Sequence, residues 1–326
     1  MIHVDDRRLV LERWLADQFR GTRFTLAPAS EDASFRRYFR ATLEDGRTFV
    51  AMDAPPEKED CRPFVHVARL LEAAGVHAPQ VHAQDLAAGF LLLSDLGTRT
   101  YLAELNEASA GPLFADATDA LIAWQLATRP GELPPYDEAL LRREMNLFPE
   151  WYVKRHRGVD LTAPQTQALE SVFAHLVNSA LAQPAVYVHR DYMPRNLMVS
   201  QPNPGVLDFQ DAVSGPITYD MVSLMRDAFL SWDDERVLDW TARYWEKAKR
   251  AGLPVERDFG EFWRAFEWMG LQRHLKVLGI FARINYRDGK PKYLADTPRF
   301  IAYVRPVATR YRELAPLLPL LDAIEQ

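Results

Sequence analysis

The chain has 326 residues, enough for one large or two modest domains that each bury a hydrophobic core. Its formal net charge of −6 argues against a general nucleic-acid-binding protein, because phosphate backbones require a basic surface. Cys61 is the single cysteine, which excludes a disulfide framework and a cysteine-based metal site within the chain.

The N-terminal segment predicts an amphipathic helix. Leu11, Leu15 and Phe19 recur at helical spacing. The segment lacks the basic start, apolar stretch and small-residue cleavage site of a signal peptide. No apolar run reaches membrane-spanning length. We therefore expect a cytoplasmic protein with no membrane partner.

The first hundred residues predict a sheet with one inserted helix. Two strand-like runs flank the turn signal Glu44-Asp45-Gly46, which is typical of a hairpin. An apolar-periodic stretch over 62–75 predicts a helix that ends at a glycine. Two more strands are predicted on either side of Ala88-Gly89.

Helical periodicity dominates from residue 101 onwards. It predicts helices over 101–128, 136–157, 163–181, 219–251 and 259–283, with one strand-rich stretch over 185–212. The pattern therefore predicts an α+β fold in two parts. These are a small β-rich N-lobe over 1–96 and a larger, mainly helical C-lobe over 97–326, with a hinge at 91–97.

The strongest chemical signal is His189-Arg190-Asp191 followed by Asn196. The protein-kinase catalytic loop has an aspartate and an asparagine at this spacing. The aspartate accepts a hydrogen bond from the attacking hydroxyl, and the asparagine directs an oxygen at a metal ion on the phosphates. Asp208 follows an apolar strand and could supply a second metal ligand. Each feature alone is weak, but their order and spacing together favour phosphoryl transfer.

These segments resemble the aminoglycoside phosphotransferase and choline kinase group, and the resemblance covers nearly the whole chain. It runs from DASFRRYFR through GFLLLSDLG and HRDYMPRN to LDFQDAVSGPITYD. The resemblance implies a bilobal protein-kinase-like fold with ATP and Mg²⁺ between the lobes. It assigns Asp191 as the catalytic base, Asn196 and Asp208 as magnesium ligands, and His189 and Asp220 as structural residues that brace the loop.

The same resemblance implies a nucleotide site in the N-lobe. Ser94 and Leu96 would offer backbone groups to adenine, and Ser34 and Phe35 would lie in the turn that covers the phosphates. Arg36 would meet phosphate charge.

The chain departs from the kinase pattern at two places. Kinases carry a phosphate-binding lysine on the third strand, in a V-A-x-K pattern. Here Val50-Ala51-Met52-Asp53 has an aspartate at that place. Phosphate charge must then be met elsewhere, and the candidates are Arg36, Arg37, Arg40 and Lys58. The phosphate-covering turn also contains no glycine.

The acceptor site is less readable from sequence. Glu144, Trp151 and Arg155 share one face of the predicted helix 136–157 and could bind a sugar, although aromatic residues in a helix are more often core. Gln210 and Asp211 follow the metal aspartate. Within the family, DASFRRYFR and MDAPPEKED resemble the amino-sugar kinases of bacterial cell-wall recycling. That resemblance implies N-acetylmuramate and N-acetylglucosamine as substrates, phosphorylated on the anomeric hydroxyl.

Two alternatives stay open at the level of sequence. A kinase for another small acceptor, such as an aminoglycoside, choline or homoserine, has the same catalytic residues. A non-catalytic nucleotide-binding module would explain the missing lysine, although the intact base and metal ligands argue against it. The sequence does not indicate an oligomeric state.

Overall fold

The computed structural model describes residues 4–30 and 35–325. Contacts between Cα atoms divide the chain into two compact units. Unit 1 comprises Met1–Ala117 and Arg195–Asp211, and unit 2 comprises Thr118–Pro194 and Ala212–Gln326. The lobe boundary predicted at 96/97 stays a prediction. No helix in the described ranges has the length and apolar character needed to cross a membrane.

Unit 1 contains a five-stranded antiparallel sheet in the order β1-β2-β3-β5-β4. Its elements are α1 (Val4–Gln18), β1 (Phe24–Ser30), β2 (Arg37–Leu43), β3 (Thr48–Asp53), α2 (Arg62–Ala73), β4 (Val81–Asp85), β5 (Phe90–Ser94), α3 (Tyr101–Glu104), the first part of α4 (Ala110–Leu126), β7 (Leu197–Met198) and β8 (Gly205–Val206). Both predicted hairpins are present. Gly46 and Gly89 adopt φ of 86° and 75° at their turns, a conformation that glycine reaches without steric cost.

Helix α1 packs on one face of this sheet. Leu11 and Leu15 are fully buried and form one core cluster with Phe39, Ala51 and Phe90, which come from three different strands. Because side chains alternate along a strand, the residues two positions away from these also face α1.

Unit 2 is mainly helical. It contains the rest of α4, then α5 (Glu138–Met145), a π-helix (Phe148–His156), α6 (Ala163–Ala182), β6 (Ala185–Val188), β9 (Val213–Pro216), α7 (Tyr219–Met225), α8 (Asp234–Arg250), α9 (Phe259–Asp288), α10 (Thr297–Arg310) and α11 (Leu318–Glu325). Short 3-10 turns occupy Pro194–Asn196, Pro291–Asp296 and Ala315–Leu317. Strand β6 pairs with β9, and in unit 1 β7 pairs with β8. The predicted succession of a β-rich part and a mainly helical part is confirmed.

Three of the long helices were wrongly predicted to be continuous, because the structure divides each of them into two elements. The stretch 101–128 is broken where the Asn106 side chain accepts the backbone N–H groups of Ala108 and Ser109, which competes with helical bonding. The stretch 219–251 is broken where Asp227 accepts N–H groups from Phe229 and Leu230.

The third break divides the stretch 136–157 into α5 and the π-helix. Pro149 cannot donate a hydrogen bond to Met145, and its ring would clash with that carbonyl in a continuous α-helix. Helix α9 also passes close to the break, since a Cβ on Gly279 would lie 2.3 Å from the Leu147 carbonyl carbon. The α-helical spacing that placed Glu144, Trp151 and Arg155 on one face therefore does not apply.

Candidate active site

The loop that contains Asp191 follows strand β6 in unit 2. Asp220 fixes the backbone of this loop. Its carboxylate accepts the backbone N–H groups of His189, at 2.6 Å, and Arg190, at 2.9 Å. Asp220 is completely buried, and burial raises its pKa to about 7 although the two backbone N–H groups act in the opposite direction. His189 is also buried, and its Nδ1 accepts the backbone N–H of Asp191 at 3.3 Å. The bracing roles predicted for His189 and Asp220 would use these contacts, and the roles stay predictions.

Glu144 lies in a buried charged cluster in unit 2. Its carboxylate binds the Arg190 guanidinium, accepts the hydroxyl of Tyr136 and lies 3.0 Å from the Lys276 ammonium. Lys276 in turn donates to the Tyr219 hydroxyl at 3.0 Å. Burial alone would raise the pKa of Glu144, but Lys276 and Arg190 hold it below its ordinary value. The predicted sugar-binding carboxylate is therefore engaged by protein cations.

The other residues predicted to bind the acceptor in unit 2 lie on the π-helix. Trp151 is half-buried, and Arg155 is exposed with its guanidinium 5.8 Å from the centre of the Tyr286 ring. The contacts described for these two residues do not include Glu144. Their substrate-binding roles stay predictions.

The candidate metal ligands in unit 1 are brought together by the short β7–β8 hairpin. The backbone N–H of Leu207 donates to the carbonyl of Asn196 at 2.9 Å. The Asn196 amide then lies 3.3 Å from Oδ2 of Asp208, and the Gln210 amide donates to Oδ1 of Asp208 at 2.9 Å. Asp208 has φ of 61°, an unusual value for a residue other than glycine.

This donor set fits Mg²⁺. Mg²⁺ is typically held by one or two carboxylates together with water and phosphate oxygens, rather than by an all-protein cage. Asp208 offers a carboxylate, and rotation of the Asn196 amide would present its oxygen. In the described ranges no group of three or more His, Cys, Asp or Glu side chains could form a cage of its own.

Arg36 lies in the electrostatic field of this hairpin. Burial acts to lower its pKa, but Tyr38 and the carboxylates of Asp208, Glu59 and Asp211 raise the pKa overall. Arg36 therefore interacts electrostatically with a candidate metal ligand, Asp208. Ser34 lies outside the described residues.

The other three basic candidates have different surroundings. The guanidinium of Arg40 binds Asp95 and donates to the Gly97 carbonyl at 2.9 Å. The Lys58 ammonium lies 5.4 Å from the centre of the Phe35 ring, which is exposed. Arg37 is bound to Asp53.

Asp53, at the place of the kinase lysine, belongs to a cluster that also contains Arg7 and Arg37. Its carboxylate is fully buried and accepts Nε of Arg7 and Nε of Arg37, each at 3.0 Å, with a further bond from each guanidinium. Asp53 shares its strand face with Ala51, so it points towards α1. At this position kinases have a phosphate-binding lysine. Here the position holds an aspartate that attaches α1 to the sheet.

The predicted hinge at 91–97 covers the end of strand β5 and the three residues after it. Ser94 ends the strand, and its Oγ accepts the backbone N–H of Gln80 at 3.3 Å. Leu96 packs on strand β8, where a Cβ on Gly205 would lie 2.8 Å from its Cδ1. Gly205 therefore allows this close approach. The adenine contacts proposed for Ser94 and Leu96 stay predictions.

Sequence reasoning missed two basic residues of these clusters, Arg7 and Lys276. Arg7 is one of several charged residues in the N-terminal helix, and nothing in the pattern distinguishes it from the others. Lys276 left a stronger signal, because it is a lysine within the apolar stretch of α9, where a buried ammonium needs a partner.

An antiparallel sheet, a mainly helical part, a loop with Asp191 and a hairpin that brings Asn196 and Asp208 together indicate a kinase-like phosphotransferase. The chain belongs to the phosphotransferase enzyme family (APH), whose profile matches residues 25–259. Solved structures with this fold include a choline/ethanolamine kinase family protein from Mesorhizobium loti, with a TM-score of 0.63 and 15% identity over 97% of this chain and 99% of that one. An ADP-bound aminoglycoside phosphotransferase has a TM-score of 0.59 and 15% identity over 91% and 98% of the two chains.

Closer relatives are known by sequence. An N-acetylmuramate/N-acetylglucosamine kinase of Pseudomonas putida is 56% identical over 97% of this chain and 94% of its own length. A protein of the same name from Pseudomonas aeruginosa is 58% identical over 92% of this chain and 89% of its own length. Another from Neisseria meningitidis is 51% identical over 97% of this chain and 95% of its own length.

Proposed function

We propose that this protein transfers the γ-phosphoryl group of ATP to the anomeric hydroxyl of N-acetylmuramate and N-acetylglucosamine. The observation that carries the proposal is the identity of 51–58%, over nearly the whole chain, with three kinases named for these two sugars. The anomeric position is a finer inference. It is favoured because the ring oxygen acidifies that hydroxyl and eases the task of a carboxylate base.

The two loops offer the groups that this reaction needs. Asp191 accepts the proton of the acceptor hydroxyl as its oxygen attacks the γ-phosphorus, and the bond to the β,γ-bridging oxygen breaks to release ADP. Phosphoryl transfer asks a protein mainly for positioning and charge neutralisation. Asn196 and Asp208 would hold Mg²⁺, which supplies charge neutralisation at the phosphates when bound. Arg36 adds a protein cation that interacts electrostatically with Asp208.

The same residues explain how the chain can dispense with a third-strand lysine. The positive charge that the lysine would bring to the phosphates comes instead from Arg36, just before β2. The Asp53 side chain faces α1. The preceding residue, Met52, faces the opposite side of the strand, where we propose that the nucleotide binds. We further propose that the reaction takes place in the cytoplasm, as a step of cell-wall recycling.

A substrate series with product analysis tests this proposal. The purified protein should consume ATP with N-acetylmuramate and N-acetylglucosamine, and phosphorus NMR of the products should show sugar-1-phosphates. The matched 1-O-methyl glycosides have no free anomeric hydroxyl, so they should bind and not react. Equal turnover of a methyl glycoside would place the attacking oxygen elsewhere on the sugar.

Two further acceptor classes separate the alternatives. Turnover of choline or an aminoglycoside without turnover of any amino sugar would refute the substrate and leave the phosphotransferase intact. Nucleotide binding with no turnover of any acceptor would favour a non-catalytic module.

A further inference from the structure

The end of the predicted hinge is tied to strand β2 by an ion pair. The Arg40 guanidinium donates from Nε to Oδ2 of Asp95 at 2.6 Å and from Nη2 to Oδ1 at 3.0 Å. The same Nη2 donates to the Gly97 carbonyl at 2.9 Å, and the Gly97 N–H donates to Oδ1 of Asp95 at 3.0 Å. We call these three residues the hinge clamp. It holds the backbone on both sides of Leu96.

The ion pair of the hinge clamp is largely shielded from water. The side chain of Asp95 is 6% exposed and that of Arg40 is 25% exposed. Burial alone would raise the pKa of Asp95, but bonds from Arg40, the Gly97 N–H and the Thr48 hydroxyl keep the pKa below its ordinary value. Both groups are therefore charged at physiological pH. A planar guanidinium that binds a carboxylate through two nitrogens fixes the orientation of its partner as well as its position.

Leu96 lies between the two residues that the clamp holds. Within residues 4–30 and 35–325, its backbone N–H and carbonyl form no hydrogen bond. The residue is partly exposed, so a ligand can supply the missing partners. Adenine presents one acceptor, N1, beside one donor, the 6-amino group. An N–H and a carbonyl of the hinge can bind both, provided that the backbone is held in one orientation.

The hinge clamp lies near the candidate metal ligands of unit 1. Leu96 packs on Gly205, which is three positions before Asp208, and three residues of chain span at most about 11 Å. Arg40 lies on the sheet face away from α1, because the residues on either side of it belong to the core cluster that faces α1. Met52 is on the same face. A nucleotide whose phosphates meet Asp208 therefore has its base within reach of Leu96.

We propose that Arg40 and Asp95 are positioning residues for the nucleotide, which hold the backbone at Leu96 in the orientation that binds the edge of adenine. This inference rests on the use of ATP in the proposed function. It gives Arg40 a role different from the phosphate contact considered from the sequence. A phosphate contact would serve every nucleoside triphosphate equally, because all of them carry the same phosphates. The hinge clamp should instead act on the choice of base.

The experiment compares ATP with ITP, whose base has a carbonyl oxygen and an N1–H where adenine has an amino group and an unprotonated N1. Calorimetry in the presence of Mg²⁺ gives the two dissociation constants, and the measured quantity is the ratio of the constant for ITP to that for ATP. Arg40→Met should lower this ratio about ten-fold, the contribution of one well-aligned hydrogen bond. The same variant should raise KM for ATP and leave kcat nearly unchanged, because Arg40 does not touch the reacting groups.

Three further variants complete the test. Asp95→Asn keeps an acceptor for the Gly97 N–H but loses the charge that binds Arg40, so it should also lower the ratio, and it tests the proposal even if Arg40→Met does not fold. The double variant should lower the ratio no further than either single variant, because both substitutions remove the same interaction. Arg47→Met removes an exposed arginine of the same unit, one that pairs with Asp45, and it should leave the ratio unchanged.

The outcomes separate this inference from the function on which it rests. If Arg40→Met weakens the binding of ATP and ITP by the same factor, Arg40 acts on the phosphates or on the fold, and the inference is refuted. If the wild-type protein binds both nucleotides equally, the hinge does not distinguish the base, and the inference is refuted while the kinase stands. Nucleotide binding needs no acceptor, so failure to phosphorylate either sugar refutes the proposed acceptors and leaves this test intact.

Discussion

Replacement of Asp53 by asparagine should destabilise unit 1 by about 3 kcal/mol, the lower end of the cost of breaking a buried ion pair. The carboxylate is fully buried and receives two bonds from each of two guanidiniums. The amide keeps the shape but not the charge, so Arg7 and Arg37 would face each other without a counterion. The lower end of the cost range applies because the side chains of Arg7 and Arg37 are 16% and 29% exposed and stay partly hydrated.

Urea unfolding measures this loss. With a slope of about 3 kcal/mol per molar urea, the midpoint of unit 1 should fall by about 1 M. Asp45→Asn is the matched control, because Asp45 pairs with Arg47 on the surface of the same unit, where water and salt screen the pair and it contributes little to stability. If the two variants unfold at the same midpoint, Asp53 does not anchor α1. An increase in ATP affinity in Asp53→Lys would contradict the orientation of this residue, since the lysine should only add a third cation to the cluster.

Three further predictions concern the proposed base Asp191, the proposed metal ligand Asp208 and the bracing residue Asp220. Asp191→Asn should bind ATP normally and lose about 10²–10⁴-fold in kcat, and near-wild-type turnover would remove Asp191 from the mechanism. Asp208→Ala should abolish the magnesium dependence of nucleotide binding in calorimetry, and an unchanged affinity for MgATP would locate the metal site elsewhere. Because burial raises the pKa of Asp220 to about 7, folding takes up a proton there, so stability should fall as the pH rises from about 4 to 7. Asp220→Asn should lose this part of the pH dependence, as denaturation curves at pH 5 and 8 would reveal.

The β-rich part was predictable because its signals are local. A turn with a glycine between two alternating runs determines a hairpin within about fifteen residues, and Gly46 and Gly89 occupy such turns. The helix breaks were less predictable, because they depend on competing hydrogen bonds from Asn106 and Asp227 and on the ring of Pro149. No element was assigned beyond residue 283, where the structure has α10 and α11.

The candidate site shows the same contrast between local and long-range information. The spacing of Asp191 and Asn196 was readable because one loop fixes it. The partners of Glu144 and Asp53 were not readable, since Lys276 is 132 positions from Glu144 and Arg7 is 46 positions from Asp53. Only packing reveals that these carboxylates bind protein cations. The roles of individual site residues in binding nucleotide and sugar stay predictions.

Backbone strain occurs in both loops to which we assign a role in the reaction. In the described ranges three residues other than glycine have positive φ, namely Arg20 at 51°, Arg190 at 75° and Asp208 at 61°. Arg20 follows the end of α1, where left-handed residues are common. Arg190 adjoins the proposed base Asp191, and Asp208 is a proposed metal ligand. Such backbone strain costs about 1–3 kcal/mol per residue.

Glycine would remove the strain at position 190, so the presence of arginine there needs a reason. The backbone conformation itself is held by Asp220, which accepts the N–H of Arg190, and this bond would survive in a glycine variant. What glycine could not supply is the guanidinium that binds Glu144 and acts electrostatically on Asp191. The strained backbone is therefore tolerated for the sake of a side-chain charge beside the base.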